Sequence, residues 1–197
     1  MNTLFPIYIK LDQIQTLLVG AGPVGLEKIQ AIIANSPQAK VDVIAEEVSL
    51  AFYNFIEDKP LIKLSKRLFE DSDVNEKQLV ILATNNPKLN NHVRNLCSEK
   101  HILLNIADKP SLCDFYLGSV VQKGNLKIGI STNGKSPTIA KRIKELLNEM
   151  LPEEIDETLN LMSNLRNQLK GDLKEKITVL NAHTEQLIKQ KDNDRAN

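Results

Sequence analysis

Leu17-Leu18-Val19-Gly20-Ala21-Gly22-Pro23-Val24-Gly25-Leu26-Glu27-Lys28 is the stretch from which the rest of this sequence is read. Residues 15–19 form a β-rich run that ends at Gly20, and residues 24–34 set Val24, Ile29, Ile32 and Ile33 at helical spacing. Asn35-Ser36-Pro37 stops the helix. Between strand and helix lies G-x-G-x-x-G. That spacing assigns a tight turn to Gly20, close approach of backbone to a diphosphate to Gly22, and close helix–strand packing to Gly25. A helix beginning here offers N–H groups and the positive end of its dipole to an anion. Pro23 falls near the first helical position, where its missing N–H costs little. Glu46, 21 residues past Gly25, follows a second β run, where a carboxylate can accept from a ribose 2′-OH. No Arg or Lys adjoins it in the sequence, which favours NAD over NADP. The other reading of the same letters is a glycine turn that binds nothing.

Working outward, residues 41–45, 61–64, 79–83 and 102–106 read as further strands, and residues 48–56 and 88–100 as helices. Leu79-Val80-Ile81-Leu82-Ala83 is apolar throughout, as a parallel strand covered on both faces should be. Asn85-Asn86-Pro87 supplies a cap and a first-turn proline to the helix after it. Repeated βα units of this length predict an α/β domain with a doubly wound parallel sheet. The pattern changes after Asp114. Residues 115–121 and 126–130 read as a β-hairpin, residues 137–150 as a helix that Pro152 closes. Beyond it Ile155, Leu159, Met162, Leu165, Leu169, Leu173, Ile177 and Leu180 recur at threes and fours, with Gly171 as a break, and predict a helical hairpin. Residues 189–197 are polar and expected to fray. The expected division is 1–113, 114–150 and 151–197.

Composition narrows the function classes. The 197 residues carry 25 basic and 25 acidic side chains, so the excess of cations that sequence-independent nucleic-acid binding needs is missing. No apolar run approaches the roughly 20 residues that span a bilayer, and residues 1–13 lack the pattern of a signal peptide. Cys97 and Cys113 form no CxxC pair, and His92, His101 and His183 form no HxxxH or HExxH, so no metal site is expected. A reducing cytoplasm is the expected location.

A second glycine motif offers a rival. Gly129-Ile130-Ser131-Thr132-Asn133-Gly134-Lys135-Ser136 satisfies G-x-x-x-x-G-K-[ST], the loop of a nucleoside triphosphatase. It comes late, with only helices after it, and Gly129 reads as part of the hairpin strand. Its N–H groups with Lys135 can instead cradle substrate carboxylates.

The order of these segments resembles the precorrin-2 dehydrogenase family, the N-terminal module of sirohaem synthases. Leu4-Phe5-Pro6-Ile7, the glycine loop, Ala83-Thr84-Asn85-Asn86-Pro87-Lys88-Leu89-Asn90, Asn105-Ile106-Ala107-Asp108-Lys109-Pro110 with Leu112-Cys113-Asp114-Phe115, and Ile130-Ser131-Thr132-Asn133-Gly134-Lys135-Ser136-Pro137 carry the resemblance across residues 3–152. The resemblance implies a Rossmann-like domain, a β-hairpin and helix region through which two subunits form a homodimer, and a helical C-terminal piece. It implies oxidation of precorrin-2 to sirohydrochlorin with NAD as cofactor. By that resemblance NAD contacts fall on Pro23, Val24, Glu46 and Glu47, the essential aspartate on Asp108, and a hydroxyl on Thr132. Lys135, Ser136, Lys141 and Arg142 are the candidates for holding substrate carboxylates. Asn133 stands where the family has glycine. The remaining length is expected to leave no room for the methyltransferase fused in some relatives. Some relatives also insert Fe²⁺, an activity the sequence leaves open. A regulatory module that binds cofactor and tetrapyrrole without turnover is the alternative from another class.

Overall fold

The structure, a computed structural model, describes residues 2–169, 177–179 and 181–182. Leu173, Leu180, Gly171 and residues 189–197, named above for the C-terminal stripe and its end, lie outside them. The chain forms two compact units. One holds the residues up to Ser119 together with Ser131–Ala140; the other holds Val120–Ile130 and the described residues from Lys141 on.

The first unit is built on five parallel strands: β1 (Gln15–Ala21), β2 (Lys40–Val48), β3 (Ile62–Lys66), β4 (Leu79–Leu82) and β5 (Leu103–Ile106). They lie in the order β3-β2-β1-β4-β5. The order in which successive strands are laid down reverses between β1 and β4, which opens a crevice at the carboxyl ends of those strands. Helices α1 (Pro23–Asn35) and α2 (Leu50–Ile56) cover one face, and α3 (Pro87–Glu99) covers the other. Period-2 alternation splits the core accordingly. Leu18, Val41, Val43 and Ile81 pack with Ile29, Ile32 and Phe52, while Leu17, Val19, Val80 and Leu82 pack with Val93 and Cys97. Each fully buried Leu, Ile or Phe contributes about 1.5–3 kcal/mol to holding helix on sheet.

Several boundaries differ from the sequence expectation. The crossover from β3 to β4 carries only a 3₁₀ turn, Asp71–Val74, where a βα unit would bring a helix. β2 runs on to Val48, because its pairing with β1 shifts: Val19 faces Ile44 and Ala21 faces Val48. Glu46 and Glu47 therefore sit in an irregular stretch inside the strand, not after it. Helix α2 consequently starts at Leu50, capped by Ser49. Residues 115–118 are not strand. Phe115 packs against the first core cluster, and Asp114 pairs with the edge of β5, its N–H donating to Leu104 O at 2.8 Å and its Oδ2 accepting from Leu104 N at 3.0 Å.

In the second unit β6 (Ser119–Lys123) and β7 (Leu126–Ile130) form a hairpin. The link Gly124-Asn125 has positive φ (53°) at its first residue, the pattern of a type II′ turn. Asp156 of α5 (Ile155–Gln168) accepts from the Asn125 N–H at 2.6 Å and from its Nδ2 at 2.9 Å. Along α4 (Pro137–Met150), Ile139, Ile143, Leu146 and Met150 recur on one face and are all exposed. Among the described residues no helix is long and apolar enough to cross a membrane.

Candidate functional site

The crevice between β1 and β4 is shaped first by glycine. Gly20 adopts φ +104°, and a Cβ there would lie 2.5 Å from the carbonyl oxygen of Ala83 at the end of β4. A Cβ on Gly25 would lie 2.1 Å from the Gly20 carbonyl oxygen, so helix α1 can approach β1 only without a side chain at that position. Gly22 is different. It caps α1 with φ −81° and ψ −166°, a backbone any residue adopts, and a Cβ there meets nothing within 4 Å. Protein contacts explain the first and last glycines of the motif; the open space above the middle one is where a bound diphosphate would pass. Pro23 occupies the first turn, and the first helical bond runs from Leu26 N to Gly22 O at 2.9 Å. The N–H groups of Val24 and Gly25 therefore precede the helical ladder and face the crevice end of the dipole.

Neighbouring loops are pinned around this elbow. The Ser49 N–H and hydroxyl both donate to Ala21 O at 3.1 Å, fastening the end of β2 to the glycine loop. After β4, Thr84 Oγ1 donates to Asn90 Oδ1 at 2.7 Å and Asn90 Nδ2 donates to Thr84 O at 3.3 Å. Asn86 caps α3 by accepting from the N–H groups of Lys88 and Leu89. The sequence reading of a helix over residues 48–56 put Ser49 inside it; the structure makes it the cap.

Glu46 and Glu47 lie at the same carboxyl edge and are exposed. The sequence around them holds no cation, but the sheet supplies one: β3 pairs Ala45 with Lys66, one strand spacing away. Arg67, the next residue, is engaged by Asp73, whose Oδ2 accepts from Nη1 at 2.8 Å. That guanidinium holds the Asp73 carboxyl below the ordinary carboxylate range. That lysine comes from a strand 20 residues downstream of Glu46, so the local sequence does not show it.

Asp108 stands just past the end of β5, exposed, with φ +58°. A left-handed non-glycine residue is uncommon, and Asp tolerates it better than most. Its carboxylate has no hydrogen bond or ion pair among the described residues. The loop around it is held by backbone bonds, Ala107 N to Leu82 O at 2.9 Å and Lys109 N to Ile106 O at 3.3 Å. Asn105, buried, donates from Nδ2 to Phe115 O at 2.8 Å, and Arg94 pairs with Asp114 at 2.7 Å. The glycine elbow, Glu46, Glu47 and Asp108 thus share the carboxyl edge of one sheet.

Thr132, Lys135 and Ser136 lie in the loop between β7 and α4, and its hydrogen bonds are internal. Thr132 Oγ1 accepts from Ser136 N at 3.2 Å and donates to Ser136 O at 3.1 Å. Lys135 N donates to Thr132 O at 3.1 Å, and Ser136 Oγ accepts from Ile139 N at 3.2 Å. Asn133 (φ 55°) and Gly134 (φ 73°) make consecutive left-handed residues, so asparagine fills a family glycine position with the side chain best suited to that backbone. Among the described residues no hydrogen bond joins this loop to the edge that carries Asp108. Gly129 lies within β7, in a two-stranded hairpin. A loop wrapping a triphosphate starts where a strand of a parallel sheet ends, so this geometry does not fit one.

Known proteins agree with this architecture. A model of the NAD(P)-binding family matches residues 7–119, and a model of the sirohaem biosynthesis protein central family matches residues 123–150. Proteins named siroheme synthase are similar in sequence. That of Thioalkalivibrio sulfidiphilus is 35% identical over 145 residues, 71% of this chain and 28% of its own length. That of Vesicomyosocius okutanii is 37% identical over 147 residues, 75% of this chain and 31% of its own. The chain therefore spans about three-tenths of the length of these curated relatives. A solved structure of SirC, a precorrin-2 dehydrogenase, superposes with a TM-score of 0.71 at 23% identity, over 91% of this chain and 88% of that one, and shares the fold. With an elbow whose outer glycines the fold requires and whose middle one it leaves open, and with a family match over more than half its length, the chain belongs to the NAD(P)-binding family.

Proposed function

We propose that this protein is an NAD-dependent precorrin-2 dehydrogenase that forms sirohydrochlorin on the route to sirohaem. The observation that carries the reading is the open space over Gly22, where the fold itself has no need of glycine. The siroheme synthase relatives and the precorrin-2 dehydrogenase neighbour supply the substrate class.

When bound, NAD⁺ supplies the two-electron acceptor for the macrocycle. The chain's own residues do the rest. Val24 and Gly25 offer N–H groups to the diphosphate, Pro23 fixes the backbone that aims them, and Glu46 with Glu47 takes the ribose hydroxyls. Dehydrogenation also releases a proton from the macrocycle. Asp108, with a carboxylate that makes no hydrogen bond among the described residues, takes it as general base. Backbone N–H groups near Asn133 and Gly134, with Thr132, Lys135 and Ser136, hold substrate carboxylates.

Two further parts of the reading are structural. The exposed stripe Ile139, Ile143, Leu146 and Met150 supports a homodimer in which a second copy covers it. The division into a cofactor domain over 1–113, a hairpin and helix region over 114–150 and a helical remainder fits that arrangement. Two cysteines that hold no structural disulfide suit a reducing cytoplasm.

The test is to supply precorrin-2 and NAD⁺ without oxygen and follow the sirohydrochlorin spectrum. Turnover in the wild type and its loss in Asp108→Ala, with NAD⁺ affinity retained, is the expected result. A non-catalytic tetrapyrrole-binding module would bind both compounds and leave the spectrum unchanged. Adding Fe²⁺ after the oxidation reads metal insertion separately.

A further inference from the structure

We infer that Cys113 is the positioning residue for Asp108, its thiol clamping both ends of the loop that holds this carboxylate. The inference rests on the dehydrogenase reading above. The Cys113 sulfur accepts the N–H of Ile106 at 3.1 Å, two residues before Asp108. It lies 3.3 Å from the carbonyl oxygen of Lys109, one residue after Asp108, and 3.2 Å from that of Ile106. Asn105 Nδ2 is 3.6 Å away on the same side. One S–H can serve one of the two carbonyls at a time, and either choice draws the loop toward the end of β5.

Three features make this contact matter for Asp108. Its backbone has φ +58°, a conformation that neighbouring structure must hold in place. Its carboxylate is exposed and makes no hydrogen bond or ion pair among the described residues that would orient it. The loop's backbone bonds are few, and of those that flank Asp108 the one from Lys109 to Ile106 is long at 3.3 Å. The thiol is thus the side-chain tether on both sides of the carboxylate. Burial pushes the Cys113 thiol up from its ordinary range, so near neutral pH it keeps its proton and can donate while accepting. The next residue is anchored as well. Asp114 pairs with Arg94 and with the backbone of Leu104, so the platform that carries the sulfur is fixed to α3 and β5. A displacement of about 1 Å at a catalytic group can cost up to about a hundredfold in rate.

The experiment compares Cys113→Ala and Cys113→Ser with the wild type for kcat in anaerobic precorrin-2 oxidation, for NAD⁺ Kd and for Tm. Cys113→Ala is expected to lower kcat about tenfold while NAD⁺ Kd stays within about twofold. Cys113→Ser, which keeps a group that donates and accepts, is expected to recover most of that loss. Wild-type turnover in Cys113→Ala overturns the inference, and so does a serine variant as slow as the alanine one, which would make the sulfur a packing atom only. Should Cys113→Ala fail to fold, methyl methanethiosulfonate on the folded wild type decides. It converts the partly exposed Cys113 thiol to a methyl disulfide with release of methanesulfinate, while Cys97, fully buried, is shielded. Turnover is expected to fall and to return on reduction with dithiothreitol; unchanged turnover after full modification contradicts the role. Asp108→Ala run alongside separates the two levels. If it turns over normally, the base assignment itself is lost; if it is inactive while the Cys113 variants are normal, only the inference falls.

Discussion

Ser49 and Ala21 are joined twice: the N–H and the hydroxyl of Ser49 both donate to the Ala21 carbonyl oxygen at 3.1 Å. The same hydroxyl accepts from Phe52 N at 3.3 Å and so caps α2. One side chain therefore fixes a helix start, the end of β2 and the loop that carries Gly22. Ser49→Ala is expected to cost about 1 kcal/mol, as the loss of an N-cap does, and to weaken NAD⁺ binding severalfold. Thermal melts and calorimetric titration check both; an unchanged Kd would detach the loop from this anchor.

The glycines should separate fold from binding. Gly25→Ala places a methyl group 2.1 Å from the Gly20 carbonyl oxygen, backbone against backbone, so Tm should drop and NAD⁺ binding should fall with it. A Cβ at Gly22 meets nothing within 4 Å, so in Gly22→Asp the fold should hold while a carboxylate blocks the diphosphate. Circular dichroism and NAD⁺ titration of the pair would read the two effects apart, and a Gly22 variant that binds normally would discredit the elbow.

Discrimination against NADP⁺ should be Glu46's doing. A carboxylate at the ribose repels a 2′-phosphate, and Lys66 stands on the neighbouring strand, opposite Ala45. Glu46→Gln is expected to shift the ratio of NAD⁺ to NADP⁺ Kd values about tenfold toward NADP⁺, the effect of roughly 1.4 kcal/mol. A ratio that does not move would place the ribose elsewhere.

Much of this was legible in the sequence, for local reasons. The central strands β1 and β4 carry the apolar runs that a two-sided parallel sheet demands, and G-x-G-x-x-G sits between a strand and a helix whose periods differ. What was hidden is non-local. Nothing near Glu46 announces Lys66, because strand register, set by the packing of Ile62 and Leu64 under α2, brings it there. The shift that keeps Glu46 and Glu47 within β2 depends on how Ala21 pairs with Val48. Phe115 scans as strand, but it packs against the first core cluster, and the backbone N–H that meets β5 is that of Asp114. Cys113 reads as a lone cysteine until the loop closes on its sulfur.

Acid should loosen the β3–β4 crossover. Hydrogen bonds from Arg67 hold Asp73 below its ordinary pKa, and Asp73 also accepts from Glu70 N at 2.8 Å. A carboxyl with a depressed folded-state pKa stabilises fully above its unfolded value near 3.8 and loses that contribution as pH falls through the folded value. Below about pH 4 the wild type should therefore lose Tm more steeply than Asp73→Asn, while above about pH 5 the variant should be the less stable of the two by a constant margin. Parallel melting curves across the whole range would remove Asp73 from the acid response.

A crystal structure of the protein with NAD⁺ bound goes to the heart of the matter. The diphosphate is expected against the N–H groups of Val24 and Gly25 above Gly22, with the adenosine ribose at Glu46 and the nicotinamide on the side of the crevice toward Asp108. Density for the coenzyme anywhere else, or an empty elbow at saturating NAD⁺, would contradict it.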